Sequence, residues 1–235
     1  MIVLGIDTSS SRLSIAVRDK DKLLAERSYL SASQCSVILL PGIKNLLREI
    51  GLGLNRIDGF IVGLGPGSFT GLRIGLSTIK ALAFAFSKPI IGIPTLDVLA
   101  ENISPANNRI CPVLDARRGE VYSCIYQSNG RQVKRLSEYM VLPIRDLLKM
   151  LKFRTVFLGE GLFEYKDLIK KLSKDLSLFA PQENWFPQAS ALTRLGLARL
   201  LSKDLDSCYD LTPLYLRRSQ AEEKYDARLG RDKPE

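Results

Sequence analysis

The chain has 235 residues, 46% of them hydrophobic and 25% charged, and a formal net charge of +9. These values are typical of a globular protein with one large or two small domains, and they exclude wholesale disorder. The sequence contains no histidine. This absence excludes Ser-His-Asp and Cys-His nucleophile pairs, His-Glu-x-x-His zinc sites and histidine proton shuttles. Catalysis by carboxylates, by lysine or by a metal held on carboxylates stays open.

Four cysteines are scattered without a Cys-x-x-Cys pair: Cys35, Cys111, Cys124 and Cys208. Secreted disulfide frameworks and zinc sites use clustered cysteines, so this pattern favours a reduced, cytoplasmic compartment, and we expect no metal. The amino terminus has no basic region, and Asp7 interrupts its apolar run, which predicts a first strand rather than a signal peptide. Lys80 interrupts the longest apolar stretch, residues 74–86, and we therefore expect no contact with a membrane.

The basic excess is compatible with an RNA-facing surface and equally with a protein that is merely soluble. No arginine block or aromatic RNA-binding motif decides between the two. Six basic residues lie close together in the sequence and could meet RNA or an acidic partner: Arg109, Arg117, Arg118, Arg131, Lys134 and Arg135.

The first half predicts three strands, a helix, a strand, a helix, a strand and a short helix. Their spans are 2–7, 12–18, 22–30, 37–50, 58–64, 70–86, 89–93 and 96–103. Apolar and polar residues alternate in the second strand, which is typical of a half-buried strand. The first helix has its apolar residues at helical spacing and stops at Gly51.

The second half repeats this order. It predicts strands over 109–115, 120–127 and 131–138, with an Asn129-Gly130 hairpin turn between the last two. A helix over 144–151, a strand over 155–159 and helices over 163–172 and 189–201 follow. Both first strands end in an aspartate, Asp7 and Asp115. The repeated order predicts a duplicated α/β fold with mixed sheets, divided into units 1–105 and 106–218, with a flexible tail over 219–235.

A glycine-rich loop over 63–71 leaves a strand and enters the helix predicted over 70–86. Glycines permit close approach, and a helix amino terminus offers free amides to an anion, which makes Gly65, Gly67 and Ser68 candidates for an anion site. The loop has no lysine, and its glycine spacing misses the dinucleotide pattern by one residue. The alternative is a tight structural turn in which Ser68 or Thr70 caps the helix.

That helix is apolar on nearly all sides, so two of its sides need cover. At about 100° per residue, small residues share one side and would let a second helix approach closely. The cover could be the chain's own helix 37–50, a helix of a partner protein, or both. The residues that we assign to a partner interface are Leu39, Ile43, Leu46, Gly71, Ile74, Gly75, Thr78, Ala81, Leu82 and Ala85.

Four segments together resemble the TsaB family, also called YeaZ. They are Ile-Asp-Thr-Ser at 6–9, Gly-Pro-Gly-Ser-Phe-Thr-Gly-Leu-Arg-Ile-Gly at 65–75, Asp-Ala-Arg-Arg-Gly-Glu-Val-Tyr at 115–122 and Pro-Leu-Tyr-Leu-Arg at 213–217. The resemblance spans the chain up to about residue 218, and the glycine motif is its most specific part. Members of this family are dimerisation subunits of the bacterial tRNA threonylcarbamoyladenosine synthesis complex.

The resemblance implies a duplicated βββαβα actin-like ATPase fold (ASKHA, ribonuclease H-like). In active relatives the hairpin after each first strand holds phosphate and metal. Neither Asp7-Thr8-Ser9 nor Asp115-Ala116-Arg117 carries the Asp-x-Gly of those hairpins, so we expect no cofactor. The catalytic relative TsaD has paired histidines on its first helix, and the equivalent stretch at 33–41 has none.

The resemblance further implies a scaffold that takes no part in chemistry. Helices 37–50 and 70–86 would bind a TsaD-like subunit, and the free chain would form a homodimer through the same face. The TsaD-like subunit, helped by a TsaE-like ATPase, would transfer threonylcarbamoyl to N6 of the adenosine 3′ of the anticodon.

Two enzymatic alternatives stay open beside this one. An actin-like phosphotransferase would use Asp7 or Asp115 as base or metal anchor, and it would bind ATP. A peptidase would have only a carboxylate dyad to work with, and Asp115 lacks the Thr-Ser that follows Asp7.

Overall fold

The computed structural model describes residues 1–30, 34–103 and 108–217. Its first sheet contains five strands: β1 (Ile2–Asp7), β2 (Arg12–Asp19), β3 (Lys22–Leu30), β4 (Gly59–Gly63) and β5 (Ile90–Ile93). The strand order is β3-β2-β1-β4-β5. The first three strands pair antiparallel, whereas β1, β4 and β5 pair parallel. The predicted first sheet is therefore mixed, as expected.

Two helices cover one face of this sheet: α1 (Cys35–Glu49) and α2 (Phe69–Phe86). Their buried residues share a core with alternate residues of β1 and β4, such as Leu4 and Phe60. A short helix, α3 (Thr95–Glu101), then leads to the second unit.

The second unit builds its own sheet from seven strands: β6 (Arg109–Arg117), β7 (Glu120–Ser123), β8 (Tyr126–Ser128), β9 (Val133–Arg135), β10 (Met140–Pro143), β11 (Thr155–Leu158) and β12 (Ser177–Phe179). The main order, β10-β7-β6-β11-β12, repeats that of the first sheet. The pairing repeats as well, because β10, β7 and β6 are antiparallel and β6, β11 and β12 are parallel. The predicted duplication is thus present in the topology.

The third strand of the second unit corrects the sequence prediction. The predicted strand 120–127 is broken at Cys124-Ile125, and β7 and β8 pair with different parts of β6. The predicted strand 131–138 is only the short β9, which closes a hairpin with β8. The position equivalent to β3 is taken by β10, which the sequence analysis did not predict. The Asn-Gly turn belongs to this extra hairpin, so it gave no information on the third strand of the repeat.

Three further helices follow: α4 (Ile144–Met150), α5 (Leu162–Ser173) and α6 (Ala189–Leu201). Helix α6 packs on the first sheet, on the face opposite α1 and α2, in a core with Val3 and Ile61. A Cβ on Gly196 would lie 2.5 Å from Ile61 Cγ2, so only glycine allows this approach. The carboxyl-terminal part of the sequence therefore returns to the first unit in space. The predicted tail, 219–235, lies outside the described residues.

Helix α2 is long and apolar enough to cross a membrane by length and composition, with a mean hydropathy of 1.3 over its 18 residues. A helix that packs in the core of a globular protein passes the same test, so the expectation of no membrane contact stays a prediction. One side of the helix packs on the first sheet. Its apolar composition reflects this packing on one side and the exposed apolar residues described below on the other.

Candidate functional site

The glycine loop, residues 63–71, packs against the turn between β1 and β2 and is hydrogen-bonded to it. The amide of Ser68 donates to the carbonyl of Ser9 (2.7 Å), and the amide of Gly65 donates to Thr95 Oγ1 (3.1 Å). A Cβ on Gly67 would lie 2.2 Å from the Ser9 carbonyl oxygen. Two of the three candidate anion-binding residues thus use their amides inside the chain. This geometry matches the predicted alternative of a tight structural turn.

Ser68 also caps helix α2. Its Oγ accepts a hydrogen bond from the amide of Gly71 (3.2 Å), which satisfies one of the free amides at the helix amino terminus. The hydroxyl is therefore engaged within the chain, and the loop is held on both sides.

Asp7 lies sealed beneath this turn, with 0% of its surface exposed. Its Oδ1 accepts hydrogen bonds from the amide (2.9 Å) and the hydroxyl (2.6 Å) of Ser9. Burial raises the pKa of the carboxyl to about 6, against the lowering effect of the Ser9 hydrogen bonds, and the charge of Glu160 raises it further. Asp7 is therefore placed in the interior, where it cannot serve as a ligand directed into open solvent.

A cleft of about 590 Å³ separates the two units. Its lining includes serines of the β1–β2 turn (Ser9, Ser10 and Ser11), arginines at the β6–β7 turn (Arg117 and Arg118) and Arg217 from the carboxyl-terminal segment. The amide and the hydroxyl of Ser11 both donate to the carboxylate of Glu160, which joins the two units across the cleft. Sequence reasoning missed Glu160, because the contact spans 149 positions and no local pattern marks it.

Asp115 lies at the other wall of the cleft and differs from Asp7 in its surroundings. Its carboxylate pairs with Arg117 Nη1 (3.2 Å), accepts from the Arg117 amide (2.8 Å) and accepts from Tyr165 Oη (3.3 Å). The two strand-end aspartates therefore differ in environment, because Asp7 is fully buried whereas Asp115 lines the cleft and pairs with Arg117. Among residues 1–30, 34–103 and 108–217, no group of three or more Cys, Asp and Glu residues could hold a metal ion.

The predicted interface residues divide between the interior and the surface. Gly71 and Gly75 face Thr8 at the end of β1: a Cβ on Gly75 would lie 2.2 Å from Thr8 Oγ1. The Thr8 hydroxyl donates to the Gly71 carbonyl (2.7 Å). The glycines therefore serve close packing of α2 on its own sheet, and their assignment to a partner interface was wrong.

The three residues that we assigned to the interface on the first helix are likewise buried inside the chain. Leu39, Ile43 and Leu46 are buried in the core between α1 and the first sheet. Helical periodicity located this apolar side correctly, but it could not tell whether a partner or the chain's own sheet covers it.

The rest of the predicted stripe reaches the surface. Ala81 and Ala85 are exposed, and Ile74, Thr78 and Leu82 are half-buried. Large apolar side chains that we did not assign to the interface lie exposed on the same two helices. Val37 and Leu40 on α1 are 70% and 54% exposed, and Phe84 on α2 is 69% exposed. We call Val37, Leu40, Ala81, Phe84 and Ala85 the outer apolar face.

Comparison with known proteins decides the family. A family model described as TsaD, tRNA N6-adenosine threonylcarbamoyltransferase, matches residues 29–225. The chain is 33% identical over 230 residues to the tRNA threonylcarbamoyladenosine biosynthesis protein TsaB of Bacillus subtilis, which covers 96% of this chain and 98% of the relative. The chain belongs to the TsaB (YeaZ) family.

Solved structures agree with this assignment. YeaZ from Pseudomonas aeruginosa superposes with a TM-score of 0.76 at 25% identity, over 92% of this chain and 99% of that chain. An activator of 2-hydroxyisocaproyl-CoA dehydratase from Clostridium difficile, solved with bound ADPNP, gives a TM-score of 0.52 at 12% identity over 88% of this chain and 99% of that one. The latter likeness shows the fold alone. The actin-like ATPase fold implied by the sequence resemblance is confirmed.

Within this TsaB fold the basic residues that are close in sequence lie in two places. Arg117 and Arg118 line the cleft. The other four lie near the opposite end of β6 and on the β8–β9 hairpin: Arg109, Arg131, Lys134 and Arg135. Arg135 contacts the ring of Tyr139 at 4.5 Å. Sequence proximity therefore combined two separate basic surfaces.

Proposed function

We propose that this chain is a non-catalytic subunit of the machinery for tRNA threonylcarbamoyladenosine synthesis. A TsaD-like subunit binds the outer apolar face and performs the transfer of threonylcarbamoyl to N6 of the adenosine 3′ of the anticodon. A TsaE-like ATPase assists, and the reaction takes place in the cytoplasm, where the tRNA is. Membership of the TsaB family supports the pathway.

The outer apolar face is the observation that carries the proposal. Its largest members, Val37 and Phe84, leave more than two thirds of their surface in water. Burying such side chains contributes about 1.5–3 kcal/mol each, which favours a protein partner over solvent. The face lies on α1 and α2, and these helices contact each other. A homodimer through the same face would cover it when the partner is absent.

Two features of the strand ends support a role without chemistry of its own. Asp7 is enclosed by Ser9 and the glycine loop, and Asp115 is held by Arg117 and Tyr165. Asp115 is thus engaged by the chain, and Asp7 is shut off from solvent with one oxygen, Oδ1, hydrogen-bonded and the other, Oδ2, buried without a hydrogen-bond partner. The activity of the complex would then depend on the active site of the partner.

A reconstituted transfer assay tests the proposal. Purified TsaD-like and TsaE-like subunits, ATP, threonylcarbamoyl-adenylate and unmodified tRNA are combined with and without this chain. We expect modified adenosine only in the mixture that contains it, and none from the chain alone. An Asp7→Asn variant should support transfer as well as the unaltered chain does. Modification of tRNA by the chain alone, or loss of transfer with Asp7→Asn in a folded protein, would contradict a non-catalytic role.

The cleft favours one second candidate, an ATP-dependent phosphotransferase. Its volume of about 590 Å³ and its lining by serines and arginines are compatible with a nucleotide. Titration calorimetry of ATP with magnesium into the isolated chain separates the two functions. The scaffold proposal predicts no heat of binding, whereas micromolar ATP binding would favour the phosphotransferase.

A further inference from the structure

A second surface of the molecule carries charge instead of apolar side chains. Arg109 begins β6, directly opposite Gln127 of β8 and beside Thr155 of β11. Lys134 of β9 lies opposite the same Gln127. Because directly paired residues project from the same face of a sheet, Arg109 and Lys134 lie on one face, two strands apart.

More basic residues reach the same edge of the second sheet. Strands β11 and β12 run parallel to β6, so all three strands start at the same end of the sheet. The segments that lead into β11 and β12 therefore lie near the start of β6. Lys152 and Arg154 are exposed in the segment before β11, and Lys174 is exposed in the turn before β12. Arg131 lies in the turn of the β8–β9 hairpin. We call this group the basic edge: Arg109, Arg131, Lys134, Lys152, Arg154 and Lys174.

The charges of the basic edge are not neutralised within the described part of the chain. No ion pair joins any of its six residues to a carboxylate in residues 1–30, 34–103 or 108–217. Three arginines elsewhere on the surface are paired with carboxylates: Arg27 with Glu49 at 2.9 Å, Arg194 with Glu101 at 2.6 Å and Arg199 with Asp204 at 2.6 Å. The basic edge therefore projects a positive field that suits an extended polyanion.

An exposed aromatic ring lies within this charge. Phe153 stands between Lys152 and Arg154 in the sequence and is 60% exposed. The guanidinium of Arg109 lies 4.8 Å from the centroid of its ring. An aromatic platform among basic side chains can stack an unpaired base while the cations contact its phosphates.

We propose that the basic edge binds RNA, with Lys152 and Arg154 on the phosphate backbone and Phe153 stacked on an unpaired base. The inference rests on the proposed function, since it gives this chain a direct contact with the tRNA that the complex modifies. The site is distinct from the cleft: β6 has nine residues, which separates its two ends by about 26 Å. It also lies on the second unit, so it stays accessible while a partner covers α1 and α2 of the first.

Charge-reversal variants test the site with a matched control. We compare K152E/R154E with K20E/K22E, which makes the same change in net charge at the exposed β2–β3 turn. Each variant is mixed with the TsaD-like subunit, and binding of a fluorescent, unmodified tRNA transcript is titrated at several salt concentrations. We expect K152E/R154E to weaken binding at least tenfold at about 0.1 M salt and to reduce the slope of log affinity against log salt by about two. K20E/K22E should change the affinity less than twofold.

A Phe153→Ala variant separates stacking from charge. It should weaken tRNA binding by about fivefold or more while the salt slope stays unchanged, because no phosphate contact is lost. Unaltered affinity of K152E/R154E, or equal losses in K152E/R154E and K20E/K22E, would overturn the inference. Binding of polyglutamate in preference to tRNA would overturn it as well.

The mass of the complex with the TsaD-like subunit is measured in the same samples. If K152E/R154E forms the complex and supports transfer of threonylcarbamoyl as well as the native chain does, this inference alone is refuted. A mixture in which no complex forms refutes the proposed function instead.

Discussion

Helices α1 and α2 of the first unit occupy the positions that α4 and α5 occupy in the second, yet they present different surfaces. The outward side of α1 and α2 carries Val37, Leu40 and Phe84, whereas the 12 residues of α5 combine three lysines with two exposed apolar side chains, Phe163 and Leu172. The strand-end aspartates differ as well, because Asp7 is buried and Asp115 reaches the cleft. A repeated backbone thus carries an apolar surface on the helices of one unit, whereas the basic edge of the other unit lies at the strand ends and outside α4 and α5.

The largest effect is expected on the inner side of α2. Gly75→Leu should destabilise the protein by about 3 kcal/mol or more, since even a Cβ meets Thr8 Oγ1 at 2.2 Å. Ala85→Leu, on the exposed side of the same helix, should change stability by less than about 0.5 kcal/mol. Thermal and urea unfolding followed by circular dichroism measure both. A stable Gly75→Leu variant would mean that α2 does not pack on β1 as described.

The two strand-end aspartates should differ in how they affect the pH dependence of the free energy of unfolding. A carboxyl whose pKa is raised from 3.8 to about 6 binds its proton more tightly when folded. Its ionised form therefore destabilises the folded state above pH 6, and this cost disappears as the pH falls through about 6 toward 4. At about 1.4 kcal/mol per pH unit, Asp7→Asn should raise the free energy of unfolding by about 3 kcal/mol at pH 8.

The same gain should shrink to less than about 1 kcal/mol at pH 4, because the carboxyl is then protonated in the folded state and only about half ionised in the unfolded state. Urea titrations between pH 4 and 8 measure the difference. Asp115→Asn is the matched control, because its carboxylate reaches the cleft and pairs with Arg117, and it should show no gain at pH 8. A constant difference between Asp7→Asn and the native chain across this range would contradict the buried, raised carboxyl.

A smaller effect is expected where the units are joined. Tyr126 and Tyr139 of the second unit both donate to the carboxylate of Asp97 on α3, at 2.6 and 2.8 Å. Tyr126→Phe removes one buried hydrogen bond to a charged group and should cost about 2 kcal/mol in the free energy of unfolding. Tyr209→Phe, at a residue that is 80% exposed, should cost nothing measurable. Equal stabilities of the two variants would show that Asp97 does not join the units.

Sequence patterns predicted most of the fold because they report on local burial. The alternation in the second strand predicted span 12–18, one residue short of β2, and the predicted spans 22–30 and 189–201 match β3 and α6. These patterns could not show that α6 packs on the first sheet. They also could not show that Met140–Pro143, and not the predicted strand 131–138, takes the position of β3 in the second unit. Both features depend on contacts between distant segments.

The candidate site was predicted less completely. The stripe of small residues on α2 was correctly located, but Gly71 and Gly75 and the exposed Ala81 and Ala85 differ only in what covers them. Val37 and Phe84 were missed because an apolar residue on an apolar helix gives no sign of exposure. The contact of Ser11 with Glu160 was missed because its partners are far apart in sequence.

The most direct test of the outer apolar face is the mass of this chain mixed with its TsaD-like subunit, measured by size-exclusion chromatography with light scattering. Ala85→Arg places a charge on the exposed side of α2, and Leu201→Arg places one at a residue of α6 that is 62% exposed. We predict a complex with the native chain and with Leu201→Arg, and separate components with Ala85→Arg, which should itself stay folded. A complex of undiminished mass with Ala85→Arg would contradict the account.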